Sequence, residues 1–256
     1  MRLATWNVNS IRQRERHVRA WLERVTPDIL LLQETKCEDA AFPAETLRKL
    51  GYRCESVGQK AYNGVAALSR APMTIVNRAL PGLSDDDSQA RYVEIETEGV
   101  HVLGIYLPNG NSGGEEGFAY KLAWMDRLAD RAETLLSEDH AVAIAGDFNV
   151  CPTDDDAAPG ALPPGDALVR PESRARFRRL IWAGLTDAAR AIHPSGRFYT
   201  FWDYQGGAWR RNSGLRIDHV LLSPALAERL ISAEPDRDER GADQPSDHVP
   251  VVIELK

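Results

Sequence analysis

Apolar residues recur along this chain in short blocks, many of them β-branched, separated by Gly, Pro, Asn and Asp. Blocks of this kind predict strands over Arg2–Trp6, Ile29–Leu32, Tyr52–Val57, Gly64–Leu68, Met73–Ala79, Arg91–Thr97 and His101–Leu107. Ala141–Val150, AVAIAGDFNV, predicts a buried strand that turns at Gly146 and leaves Asp147 and Asn149 side by side on one face. Arg216–Leu222 and Val249–Leu255 predict closing strands. In Arg91–Thr97, Val93 and Ile95 alternate with Glu94 and Glu96, the pattern of a strand with one wet face.

Spacing of three and four residues marks helices. Ser10 is a candidate N-cap for a helix whose inner face carries Ile11, Val18, Trp21, Leu22 and Val25. A short helix follows over Ala44–Leu50. The stripe Phe118, Leu122, Met125, Ala129, Ala132 and Leu136 predicts a long one opened by Glu115 and Glu116, and Glu172–Ala183 turns Phe177, Leu180 and Ile181 inward. Pro152–Pro171 is longer than a usual connector, which predicts a functional or mobile loop. Strand-like segments resume after it, so it is not a domain linker. Residues 1–256 are read as one α+β domain with two packed sheets and helices outside.

Composition narrows the class. At 256 residues, 43% hydrophobic and 27% charged, the chain can bury a large core, and no apolar run approaches a membrane span. Cys37, Cys54 and Cys151 form neither a disulfide framework nor a zinc-binding spacing, and no leader is apparent after Met1, so a reducing cytoplasm is the expected location. The net charge of −7 argues against a protein that coats nucleic acid. Its distribution is uneven, with acidic runs at Asp85–Asp87, Asp154–Asp156 and 234–239, and basic ones at 174–179 and at Arg210, Arg211 and Arg216. An acidic site that holds a divalent cation lowers net charge without repelling a phosphate.

The exceptions to the apolar pattern fall at strand ends: Asn7 and Asn9, Glu34, Tyr106 and Asn109, Asp147 and Asn149, and Asp247 with His248. Several have a plain reading as turn residues or caps. Glu34 is not a favoured turn residue. Asp218 is read as lying inside a strand, sharing a face with Arg216 and Val220, where a carboxylate is costly unless paired; His248 is its natural partner. A hard, oxygen-rich set built on Glu34 suits Mg²⁺, which keeps waters for a phosphate. Metal, carboxylate–His pair and neutral Asn and Tyr donors are together what phosphodiester hydrolysis requires.

TWNVNSIR, LLQETK, NGVAALSR, YLPNG, GDFNV, GLRIDHVLLS and SDHVPV occur in this order from the first strand to the last. Together they resemble the exonuclease III branch of the endonuclease/exonuclease/phosphatase superfamily. The resemblance implies a four-layer αββα sandwich and a Mg²⁺-dependent repair nuclease, with Mn²⁺ as a substitute ion. Such enzymes cut 5′ to abasic sites in double-stranded DNA and often act as 3′-phosphodiesterases on blocked ends and as 3′→5′ exonucleases. A monomer is expected. The resemblance makes Glu34 the main metal ligand with Asn7 and Asp247 near it, and Asp218 and His248 the pair that polarises the scissile phosphate. Asp147 activates water or protonates the leaving group. Tyr106 and Asn149 are hydrogen-bond partners of phosphate or water, and Asn109 lies in the same loop. Arg91 falls where close relatives contact substrate. Phe201, Trp202 and Leu215 resemble the apolar pocket for a flipped-out abasic sugar, although ordinary core is the other reading of Trp202; Trp209 is read as a loop contact with DNA.

Two features depart from the family. Asn9 stands where some relatives carry an acidic ligand, which implies one Mg²⁺ rather than two. The Cys151–Pro171 loop is shorter than in well-known bacterial members, which leaves the balance of endonuclease to exonuclease activity open. The competing readings are a superfamily cousin acting on another phosphate ester and an inactive DNA-binding homologue. The whole set Glu34, Asp147, Asn149, Asp218 and His248 argues against the latter.

Overall fold

The computed structural model describes residues 1–84 and 86–256; Asp85, in the first acidic run, lies outside the described residues. One sheet contains β1 (Arg2–Asn7), β2 (Ile29–Gln33), β3 (Arg53–Val57), β4 (Val65–Ser69), β11 (Leu230–Pro235) and β12 (Val251–Leu255), in the order β11-β12-β1-β2-β4-β3. The other contains β5 (Thr74–Asn77), β6 (Tyr92–Thr97), β7 (Val100–Tyr106), β8 (Ala141–Asp147), β9 (Thr186–Asp187) and β10 (Asp218–Leu222), in the order β5-β6-β7-β8-β10-β9. Each sheet has one parallel pair at its centre, β1–β2 and β7–β8, and its other pairings are antiparallel.

The two sheets bury their inner faces against each other through Leu31, Ala67, Val93, Val102, Ala143 and Val220. Close approach requires small side chains here: a Cβ on Gly104 would lie 3.0 Å from both Leu31 and Val93, and one on Gly146 would lie 2.0 Å from the Ile105 carbonyl. Helices α1 (Ile11–Val25) and α2 (Ala44–Arg48) cover the first sheet around Trp6, Trp21 and Leu30. Helices α3 (Gly114–Ser137) and α4 (Pro171–Trp182) cover the second around Trp124, Leu128, Phe148 and Phe177. This is the four-layer αββα sandwich. The short helices α5 (Ala188–Ile192) and α6 (Pro224–Ala227) complete it.

Several local expectations are corrected. Glu94 does not face water: it is fully buried and takes hydrogen bonds from Arg131, Asn77 and Tyr92. Ser10 precedes α1 but makes no side-chain cap and has φ 91°. The buried face of α3 runs through Lys121, Trp124, Leu128 and Leu135, leaving Leu122 and Leu136 at its flank. Arg216 precedes β10 rather than joining it and turns toward Asp156, Asp187 and His219, off the face of Asp218. The 152–171 segment is pinned, not loose: Asp156 is fully buried and is held by Arg216 and Arg190. All three cysteines are free and buried. No helix among the described residues is long and apolar enough to cross a membrane.

Candidate active site

The site forms where the carboxyl ends of both parallel pairs meet. Register aligns Tyr106 of β7 with Asp147 of β8, and Asp147 with Asp218 of β10, so one row crosses three strands of the second sheet. In the first sheet Asn7 pairs with Gln33, which places Glu34 just beyond it. Asn7 then joins the sheets: its Nδ2 donates to Glu34 Oε1 at 2.8 Å and to Asp147 Oδ2 at 3.0 Å. Parallel strands direct their ends to one side of a sheet, where ligands of such sheets gather.

Left-handed backbone bends these strand ends. Glu34, Lys36, Asn9 and Asn149 have φ of 51°, 52°, 44° and 48°. Such strain is sparse in proteins and collects at functional sites. At Asn149 the turn is stabilised on every side. Its N–H donates to Asp147 Oδ1 at 2.9 Å, its Nδ2 to the Leu107 carbonyl, and its Oδ1 accepts from Asn109 Nδ2 at 2.9 Å. The Asp147–Asn149 pair is therefore joined by a turn rather than by two side chains leaving an extended strand.

His248 reaches the row from the segment before β12. Its Nδ1 lies 2.8 Å from Asp218 Oδ2, and its Nε2 lies 3.8 Å from Asp147 Oδ2. Thr200 Oγ1 donates to the same Asp218 oxygen at 2.6 Å, while Asp218 Oδ1 is buried with no partner. With Nδ1 fixed on a carboxylate, the imidazole has one direction left to act in, through Nε2.

Charge is left poorly compensated here. Burial pushes the Asp147 carboxyl up, to about 7; His248 opposes the shift, and the Asp218 and Glu34 charges reinforce it. Burial alone would lower His248, but Asp218 and Asp147 outweigh it and raise it to about 10. Burial also works to raise Glu34, yet the Lys36 ammonium at 2.8 Å and the Asn7 amide hold it below the usual carboxylate range. Burial, Glu34 and Asp147 push Tyr106 well above an ordinary phenol, so it remains a donor. Glu34, Asp147 and His248 each offer a ligand atom within 4.8 Å of the others. A cluster rich in carboxylate oxygen and short of positive charge fits a hard divalent cation.

Not every expected residue stands in the same relation to this centre. Asn7 presents its amide nitrogen to the carboxylates, and its Oδ1 accepts from the Asn9 N–H. Asp247 stands outside the three-donor group and accepts from Asn9 Nδ2 at 3.1 Å. Arg91 lies 4.8 Å over the Tyr106 ring and donates to the Tyr106 carbonyl. Phe201 is partly exposed, with its ring 4.9 Å from that of His248, and it bridges to Leu215. Trp202 does not join them: it has no exposed surface and packs on Tyr199, Trp209 and Val249, so it can touch no substrate in this conformation. Trp209 covers Trp202 at 4.8 Å beside Arg237. Three contributors were not foreseen, the first being Lys36, which pairs with Glu34 at 2.8 Å. Thr200 is the one aliphatic hydroxyl in an aromatic run, which is its only signal in the sequence. Lys121 is a charge on the apolar stripe of α3, a stronger signal, and it lies buried beneath Asn109 and Asn149.

With this geometry in place, comparison with known proteins is direct. The family model described as Endonuclease/Exonuclease/phosphatase family matches residues 4–248. Exodeoxyribonuclease III of Haemophilus influenzae is 34% identical over all of both chains. The solved structure of the 3′ phosphatase NExo from Neisseria, bound to product DNA hairpin, is 39% identical with a TM-score of 0.95, covering 100% of this chain and 99% of that one. An AP endonuclease from Archaeoglobus fulgidus is 35% identical with a TM-score of 0.94, again over 100% and 99%. The two sheets, the strand-end carboxylates and these likenesses agree, and the chain belongs to the endonuclease/exonuclease/phosphatase family, in its exonuclease III branch.

Proposed function

We propose that this protein is a Mg²⁺-dependent DNA repair nuclease that acts as a monomer on duplex DNA. It hydrolyses the phosphodiester 5′ to abasic sites, and it clears 3′-blocked ends and trims 3′ termini. The observation that carries the reading is the convergence of Glu34, Asp147 and the His248–Asp218 pair at one end of both sheets.

Glu34 would hold the ion, with Asp147 beside it and Asn7 and Asp247 around it. Bound there, Mg²⁺ supplies positive charge for the phosphoryl oxygens. Asn9 lies between the Lys36 ammonium and Asp247, an arrangement that favours a single ion. His248 as the cation and Tyr106 as a neutral donor face the phosphoryl oxygens, where charge builds in the transition state. Asp147 exchanges a proton with the attacking water or the leaving 3′-oxygen. Asn7 and Asn149 each hold one of its oxygens, which fixes its aim. Phe201, partly exposed beside His248 with the buried Leu215 behind it, presents an apolar surface without base-edge donors, suited to a sugar that has lost its base.

A substrate panel tests the proposal. Purified protein in Mg²⁺ should cut a duplex carrying a tetrahydrofuran abasic analogue and should release phosphate from a 3′-phosphorylated nick. It should leave inositol phosphates, sphingomyelin and polyadenylate intact. Turnover of one of those esters with no cleavage of either DNA would overturn the DNA reading.

A further inference from the structure

Lys121 has no exposed surface, yet among the described residues no carboxylate pairs with it. Its ammonium donates instead to two backbone carbonyls, that of Asn109 at 2.9 Å and that of Asn149 at 2.5 Å. The stem passes under Gly110, where a Cβ would lie 2.6 Å from Lys121 Cδ. Keeping an ammonium in such a place is costly, and an apolar residue of similar size is often as stable or more so. Burial pushes the group down to about 7, with Asp147 and Asp166 opposing. Packing therefore does not explain it.

Its partners suggest what does. The Asn109 carbonyl belongs to the turn after β7 and the Asn149 carbonyl to the turn after β8. Asn109 and Asn149 are bonded to each other, and the Asn149 N–H holds Asp147 Oδ1. We propose that Lys121 is a positioning residue: from inside α3 it clamps the two turns together and, through Asn149, sets the aim of the Asp147 carboxyl. The role in catalysis rests on the phosphodiesterase reading of the site; the clamp itself does not.

The test compares wild type, Lys121→Met and Lys121→Ala. Methionine keeps the stem and removes the donors. It should lower kcat on the abasic duplex by about 10- to 100-fold, the usual effect of losing a group that orients a reacting one, with KM unchanged and the melting temperature no lower. Amide exchange at Asn109 and Asn149 should accelerate, a readout that needs no activity. Ethylammonium should restore part of the rate of Lys121→Ala, whereas tetramethylammonium, which cannot donate, should not. Wild-type kcat and unchanged exchange in Lys121→Met would overturn the proposal, as would a loss of rate that matches loss of folded protein. If wild type cuts no DNA, the functional reading fails, and the exchange rates still decide whether the clamp exists.

Discussion

Asp156 and Asp147 are both buried carboxylates in the second half of the chain, and their surroundings are opposite. Asp156 takes two bonds from the Arg216 guanidinium at 2.6 and 3.1 Å, one from Arg190 at 2.5 Å, and two from Thr153. Burial works to raise its carboxyl, but these partners hold it well below the usual range. Among the described residues Asp147 takes hydrogen bonds from the neutral amides of Asn7 and Asn149, the cationic side chain that forms an ion pair with it is His248 at 3.8 Å, and it faces two further carboxylates. The fold thus has the means to neutralise a buried acid completely, and at Asp147 it does not. Incomplete compensation beside the partly exposed Glu34 marks chemistry rather than architecture.

The contrast is sharpest in mutants. Asp218→Asn and His248→Ala should each reduce incision of an abasic duplex, per folded molecule, by about 10²–10⁴-fold, the range for general acid–base groups, while circular dichroism retains the wild-type fold and the melting temperature falls with the loss of the buried pair. Full rates in both would remove the pair from the mechanism. Asp156→Asn should do the reverse: unfolding in urea should show a loss of about 3–5 kcal/mol, the cost of breaking a buried pair, while the rate per folded molecule remains near wild type. A stable Asp156→Asn protein would show that the Arg216 network is not an anchor.

A smaller effect separates the two acids by pH. The Asp147 pKa rises from 3.8 to about 7 on folding, so the folded state holds a proton that the unfolded chain releases. Its contribution favours folding below the unfolded value and is lost as pH climbs to about 7. Asp156 is shifted the other way, so its contribution is present above the unfolded value and is lost as pH falls. In metal-free buffer, the melting temperature of Asp147→Asn relative to wild type should rise between pH 4 and 7. The deficit of Asp156→Asn should shrink in acid. Calorimetry between pH 4 and 7 checks the first sign, and its extension below the unfolded value of 3.8 checks the second.

The same contrast explains what was legible beforehand. Glu34 stood out because it follows an apolar run and is not a favoured turn residue, whereas Asp147 alone reads as a polar turn and stands out only beside the other strand-end clusters. The central strands were legible as runs of apolar β-formers. Glu94 was not, because its partner Arg131 comes from α3, far along the chain. Alternation within a strand says which side a residue faces but not whether that side is covered by a helix carrying a cation. Arg216 was misplaced, and Trp202 stayed open between pocket and core until its burial decided for core, because the 198–217 segment contains no regular strand to set their direction. Edge strands β9 and β11 escaped notice because one is two residues long and the other, LISAEP, is half-exposed and polar.

The most direct test is the Mg²⁺ dependence of nicking on a duplex with one tetrahydrofuran abasic analogue, measured side by side for wild type, Asp147→Asn and Asp156→Asn. Nicking by wild type should rise with Mg²⁺ and vanish in EDTA. Asp147→Asn should stay near background at every Mg²⁺ concentration, and Asp156→Asn should follow wild type once corrected for its folded fraction. Well-folded wild type that cuts in neither Mg²⁺ nor Mn²⁺, or Asp147→Asn that cuts at the wild-type rate, would contradict the account.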